Sequence, residues 1–127
     1  MSKGILEHVN ITVSNPEKTA AMLCEIFGWH VRWHGAALAG GETYHVGTDD
    51  AYLAVYSPPA EPTEGEDNYM HKGGLNHVGI LVYDLDAVEK RINTSGFETF
   101  NHQQYEPGAR FYFSDPDNIE YEVVSYA

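Results

Sequence analysis

The chain is written twice, and that repeat constrains its fold more than any other feature. Residues 6–13 read Leu-Glu-His-Val-Asn-Ile-Thr-Val, and residues 75–82 read Leu-Asn-His-Val-Gly-Ile-Leu-Val. Five of these eight positions are identical at an offset of 69. Each copy runs into a helical pattern that ends in glycine, Gly28-Trp29 in the first and Gly96-Phe97 in the second, and each half closes with an alternating segment, 51–57 and 119–125. A duplicated unit of this length is two copies of one supersecondary arrangement rather than a solenoid repeat.

Within each copy the local pattern is readable. Val9, Ile11 and Val13 alternate with His8, Asn10 and Thr12, the period of a strand. Asn15 is a helix cap and Pro16 suits the first helical position; Ala20, Leu23 and Phe27 then share one stripe, and Gly28 fits a left-handed stop. In the second copy Asp84 caps, Leu85, Val88 and Ile92 form the stripe, and Gly96 ends it. Shorter alternating runs follow: Trp29, Val31 and Trp33 on one face, then Thr43–His45 and Tyr52–Tyr56, and in the second half runs near 97–103, 109–114 and 119–125. The order is strand, helix and three strands, twice. The expected organisation is a single domain over 1–127, with unit 1 at about 5–57, a proline- and glutamate-rich linker at about 58–74 and unit 2 at about 75–127.

Charge narrows the partners. Seven basic against nineteen acidic residues give a net charge of −12. Such a chain repels phosphate backbones and anionic membranes, so neither nucleic acid nor a membrane is an expected partner. No apolar run approaches the roughly 20 residues of a membrane span, no leader is visible, and the single cysteine, Cys24, excludes an intramolecular disulfide; a cytoplasmic protein is expected. Cys24 beside Leu23 reads as a small buried residue. His30 and His34 flank Arg32 on what reads as a solvated strand face, His71 falls in the linker, and His45 sits in a strand with its direction open.

The repeat also generates a candidate metal centre. His8 and His77 occupy the same position of the first strand of each copy. In the last strand Tyr121 and Val123 share the helix-facing side, so Glu122 points the other way; its equivalent in unit 1 is Ala54. Of the four equivalent positions His8, Ala54, His77 and Glu122, three bear donors. Two imidazoles and one carboxylate on one face of an ion form the pattern of non-heme Fe(II) oxygenases, with open positions left over. One divalent ion per site is expected, Fe or Mn first, with Zn, Ni or Co also suited.

At these residues the chain resembles the vicinal oxygen chelate superfamily of glyoxalase I, bleomycin-resistance proteins, extradiol dioxygenases and fosfomycin-resistance enzymes. The carriers are Leu6-Glu7-His8-Val9, Leu75-Asn76-His77-Val78-Gly79-Ile80, and the ending Phe111 to Glu122 with its Asp115-Pro116-Asp117-Asn118 turn, where the family usually has glycine in place of Asn118. The resemblance implies an α+β fold: two βαβββ repeats forming an open, cupped mixed-sheet barrel with helices outside and the metal in the cleft. It implies ligand status for His8, His77 and Glu122, and a homodimer, with the units pairing within one chain or between two.

The family theme is chelation of a small substrate through two neighbouring oxygens, with the metal stabilising the charge that develops. A three-donor set is similar to that of the dioxygenases. Ala54 stands where a glyoxalase carries a carboxylate, which counts against a lyase or isomerase of the usual form. A phosphonate substrate calls for clustered Lys and Arg, which four lysines and three arginines do not provide. A bleomycin-resistance-type binding protein would suit the acidic charge but leaves the three donors unexplained. Candidates for an acid or base beside the metal are Tyr105, His102, Tyr112 and Tyr56, with Tyr105 and His102 expected on a loop and loop 101–108 shaping the pocket. Arg110 is a candidate partner for a substrate carboxylate or enolate.

Overall fold

A computed structural model describes residues 2–37 and 39–127. The chain divides into two compact units, Met1–Thr63 and Glu64–Ala127, a division that falls within residues 58–74.

Unit 1 runs β1 (His8–Thr12), α1 (Pro16–Phe27), β2 (His30–Ala36), β3 (Glu42–Gly47) and β4 (Tyr52–Ser57). Unit 2 opens with a short 3-10 turn, Asn68–Met70, and continues β5 (Val78–Leu81), α2 (Leu85–Thr94), β6 (Phe100–Tyr105), β7 (Gly108–Ser114) and β8 (Glu120–Ser125). Each unit is a four-stranded mixed sheet, in the orders β1-β4-β3-β2 and β5-β8-β7-β6. The first and last strands of each unit pair in parallel and the others are antiparallel. The fold is therefore α+β, built from two βαβββ repeats.

Local chemistry sets the helix ends. The Asn15 side chain accepts from the backbone N–H of Lys18 with Pro16 just inside, and Asp84 accepts from Ala87 N–H. Gly28 (φ 70°) and Gly96 (φ 94°) take the left-handed conformation after each helix. Each helix buries one stripe, Ala20, Leu23 and Ile26 in α1 and Val88 and Ile92 in α2. Val46, Leu53 and Val55 complete the unit 1 core, and Phe111, Phe113, Tyr121 and Val123 that of unit 2.

Two strands depart from simple alternation. In β2, Val31 pairs with Val46 and Trp33 with His45, so Arg32 is an extra residue in a bulge. The bulge breaks the expected common face of Trp29, Val31 and Trp33. Trp33 lies against the His45 ring at 5.2 Å; Arg32, exposed like His30 and His34, lies 4.5 Å over the Tyr52 ring, while His34 stacks on Tyr44. In β6 the register shifts between Phe100 and Gln103, with Asn101 at φ 56°. The expected loop 101–108 is instead β6, a tight connection at Glu106-Pro107, and the start of β7. Tyr105 and His102 are strand residues.

Candidate functional site

The turn before β8 delivers the key carboxylate. Asp115 is buried and its carboxylate accepts from the N–H groups of Asp117 and Ile119 and from the Tyr121 hydroxyl, at 2.9, 3.0 and 2.9 Å. Burial pushes the Asp115 carboxyl up against the opposing pull of those hydrogen bonds, and burial beside Asp115 pushes the Tyr121 phenol up as well. Asn118 closes the turn at φ 61°, a conformation asparagine tolerates better than other non-glycine residues, so the replacement of the family glycine is accommodated. Tyr121 and Val123 then face the helix side, and Glu120 and Glu122 the open side of the sheet.

On that open side, Tyr112 of β7 is in register with Glu122, and Gly79 of β5 flanks it on the other edge. His77, just before β5, sets its Nε2 3.2 Å from Glu122 Oε2. Its Nδ1 lies 3.4 Å from both Glu120 Oε2 and the Tyr69 hydroxyl, and that hydroxyl donates to Glu120 at 2.5 Å. The hydrogen bond to Glu120 pushes the Tyr69 phenol up to about 12. Arg110 Nη1 donates to Glu122 Oε1 at 2.8 Å, and its guanidinium lies 5.0 Å over the Tyr105 ring. Tyr112 packs edge-on to His77 at 5.7 Å; burial first, then the Glu122 charge, pushes its phenol up and keeps it a proton carrier at neutral pH.

Five of the eight candidate site residues therefore meet within unit 2: His77, Glu122, Tyr112, Arg110 and Tyr105. His102 does not join them. Its ring packs on Phe111, on the helix side, and its Nε2 lies 2.6 Å from Glu89 of α2, whose carboxylate also accepts from Thr99. The β6 bulge is the reason: it adds a residue and moves His102 to the side opposite Phe100 and Gln103. Arg110 does join them, with its Nη1 engaged by Glu122 and its guanidinium against the Tyr105 ring. Tyr69 and Glu120 are the residues that sequence reasoning missed. Tyr69 sits in the stretch read as a plain linker, and only Glu120's place two before Glu122, on the same strand face, was a usable signal.

His8 is held within unit 1. Its Nδ1 lies 2.8 Å from Glu7 Oε1, and because a carboxylate only accepts, that nitrogen carries the hydrogen. The bond to His8 draws the Glu7 carboxyl down. The His8 ring stacks on Tyr52 at 4.9 Å, Tyr52 stacks on His45 at 4.6 Å, and His45 is the β3 partner of Ala54. Burial, ahead of the charges of its neighbours, pulls the His45 imidazole down. Tyr56 lies in register with Thr43 and Thr12, on the same side of the sheet as Ala54.

The sequence profile of the Glyoxalase/Bleomycin resistance protein/Dioxygenase superfamily matches residues 5–123. The chain belongs to this superfamily. Solved structures agree in fold. A glyoxylase/bleomycin resistance protein/dioxygenase domain from Frankia sp. EAN1pec is 23% identical with a TM-score of 0.82, over 98% of each chain. The glyoxalase family protein from Enterococcus faecalis is 21% identical with a TM-score of 0.74, over 94% of this chain and 95% of the other. A mutant of the fosfomycin resistance protein FosX from Listeria monocytogenes, complexed with Mn(II) and 1S,2S-dihydroxypropylphosphonic acid, is 21% identical with a TM-score of 0.74, over 97% of this chain and 92% of the other. No curated protein matches the chain. Among the described residues, no helix is long and apolar enough to cross a membrane.

Within unit 2, His77 and Glu122 bring two potential metal donors together, and among the described residues no group of three or more His, Cys, Asp or Glu is gathered into a metal-holding cluster. Ligand bonds of about 2.1 Å at near right angles put neighbouring donors about 3 Å apart, close to the His77–Glu122 separation. The same separation suits an N–H···O hydrogen bond from the neutral imidazole, so the pair accommodates either a hydrogen or an ion between its atoms. Each histidine also turns its Nδ1 to a glutamate, Glu7 or Glu120, the orientation that frees Nε2 for an ion.

Proposed function

We propose that the chain is a divalent-metal-dependent enzyme acting on a small substrate with two adjacent oxygens, by dioxygenase-like or related metal-assisted chemistry. His8, His77 and Glu122 hold the ion, with Fe or Mn first and Zn, Ni or Co also suited. The observation that carries the reading is the convergence of His77 Nε2 and Glu122 Oε2 at 3.2 Å, with Nδ1 of each histidine on a carboxylate. The FosX structures with Mn(II) make manganese the natural first probe.

When bound, the ion supplies Lewis acidity that lowers the charge on two neighbouring substrate oxygens. The protein does the rest. Tyr112, kept protonated by burial beside Glu122, donates a hydrogen bond to a substrate oxygen or returns a proton to it. Glu120 and Tyr69 hold His77 in one ring orientation. Tyr105 and Tyr112 offer aromatic surface to a flat substrate. The enzyme works as a homodimer in the cytoplasm, without nucleic-acid or membrane partners.

The test is metal content by elemental mass spectrometry, on protein purified without chelator under low oxygen, together with oxygen uptake on catechols and related enediols. About one Fe or Mn per chain, lost in both His77→Ala and Glu122→Ala, supports the reading. A wild type that takes up no metal after reconstitution overturns it. One observation favours a second reading, a non-catalytic module that sequesters a cationic ligand: Glu122 already has a cationic partner in Arg110. That reading predicts ligand binding undiminished by chelator. A lyase or isomerase of glyoxalase type would need a base other than position 54, since Ala54 carries none.

A further inference from the structure

Arg110 has no part in the chemistry just proposed, yet its pair with Glu122 is among the best shielded ion pairs of the described residues. The two side chains are 16% and 13% exposed. Nη1 donates to Oε1 at 2.8 Å, the guanidinium is stacked under Tyr105, and Nε is buried without a hydrogen-bond partner. An arginine that reads a substrate anion turns its fork toward open space. Here one arm of the fork is taken and the plane is covered. Glu122 in consequence has one oxygen tied to a cation and one left, Oε2, directed at His77.

We infer that Arg110 is a built-in counter-ion of Glu122, which fixes that carboxylate in a one-oxygen mode toward His77 and lowers the affinity of the site for divalent cations, so that the ion exchanges readily. The inference rests on the metal reading of His77 and Glu122. Two effects of Arg110 oppose each other. Its hydrogen bond orients the ligand oxygen, which favours the ion by an amount a neutral donor would match. Its positive charge cancels most of the Glu122 charge and repels a dication nearby. With water-like screening, a unit charge about 5 Å from a dication already changes affinity by roughly a factor of ten, and less screening makes the change larger. The charge effect wins.

The experiment is a Mn(II) titration read by the paramagnetic resonance signal of the free ion. Arg110→Gln keeps an N–H donor near Oε1 and removes the charge; Arg110→Leu is a second variant that packs under Tyr105. Both are expected to bind Mn(II) about tenfold or more tightly than the wild type, while Arg110→Lys stays within about threefold. Adding Glu122→Gln to Arg110→Gln abolishes the gain. Equal or weaker binding in both neutral variants overturns the inference. If the wild type takes no Mn(II) but the neutral variants do, the counter-ion role stands and the metalloenzyme reading of the native chain falls. If none binds, both fall.

Discussion

Register makes the two units comparable residue by residue, and their open faces differ sharply. His8 matches His77, Tyr52 matches Glu120, and Ala54 matches Glu122. His45, Thr43 and Trp33 match Tyr112, Arg110 and Phe100. In unit 1 the face is a run of stacked rings, His8 on Tyr52, Tyr52 on His45 and His45 beside Trp33. In unit 2 the same positions form an ionic network, Tyr69–Glu120–His77–Glu122–Arg110. One backbone thus supports two chemistries, because side chains on a sheet face are set by register and not by the identity of their neighbours. Even the orphaned buried polar atoms correspond, Thr43 Oγ1 in one unit and Arg110 Nε in the other.

The largest test of the comparison concerns the cores beneath these faces. Phe113 is fully buried against Tyr121, and the matching residue in unit 1 is Val46, paired with Leu53. Phe113→Ala is expected to cost about 3–5 kcal/mol and Val46→Ala roughly 1–3 kcal/mol in urea denaturation. Equal losses would mean that the larger ring at position 113 adds nothing to its core beyond what Val46 adds to the other.

The second test imports unit 2's chemistry into unit 1. Ala54→Glu places a carboxylate at a position 2% exposed, where Thr43 replaces the arginine that neutralises Glu122. Without metal the variant should lose about 3 kcal/mol of stability. Added Mn(II) should restore part of that in a thermal melt. A variant as stable as wild type in chelator would show that unit 1's face already tolerates a bare charge.

Smaller effects sharpen the difference in turns and edges. Asn118→Ala, at φ 61°, should cost about 1 kcal/mol, and Asn118→Gly should leave the melting temperature unchanged or raised. The smallest is a pH effect on the helix side of unit 2. Bonds from Thr99 and then His102 hold the Glu89 carboxyl below its ordinary 4.5. A carboxyl lowered on folding stabilises the chain above that value, and the contribution is lost as pH falls through the lowered one. Replacing Thr99 by Val and His102 by Gln should flatten the acid limb of the stability profile by about 1 kcal/mol or less, given partial exposure. An unchanged acid limb would show that these bonds persist in the unfolded chain or do not form.

Much of this was legible because it is local or periodic. The helix caps Asn15 and Asp84, the glycine stops, the alternation of His8 with Val9 and of Glu122 with Tyr121, and the tolerance of Asn118 for a left-handed φ all follow from near neighbours. Bulges were not legible. Arg32 and Trp33 on one face, and His102 on the side opposite Gln103, depend on one extra residue in each of β2 and β6, and nothing in either short run marks the insertion. Nor was the Tyr69 contact legible, since it joins a linker turn to a strand 51 residues later.

The sequence by itself determined the duplication, the βαβββ order of each unit, the family, and the placement of two imidazoles and one carboxylate at repeat-equivalent strand positions. Periodicity and turn chemistry act over a few residues and are written in the chain. Tertiary structure decided which side chains touch: that Arg110 binds Glu122, that Glu120 and Tyr69 lie against the His77 ring, and that His102 turns to α2. Those outcomes depend on strand register and on bulges, where a shift of one residue exchanges the two faces of a sheet.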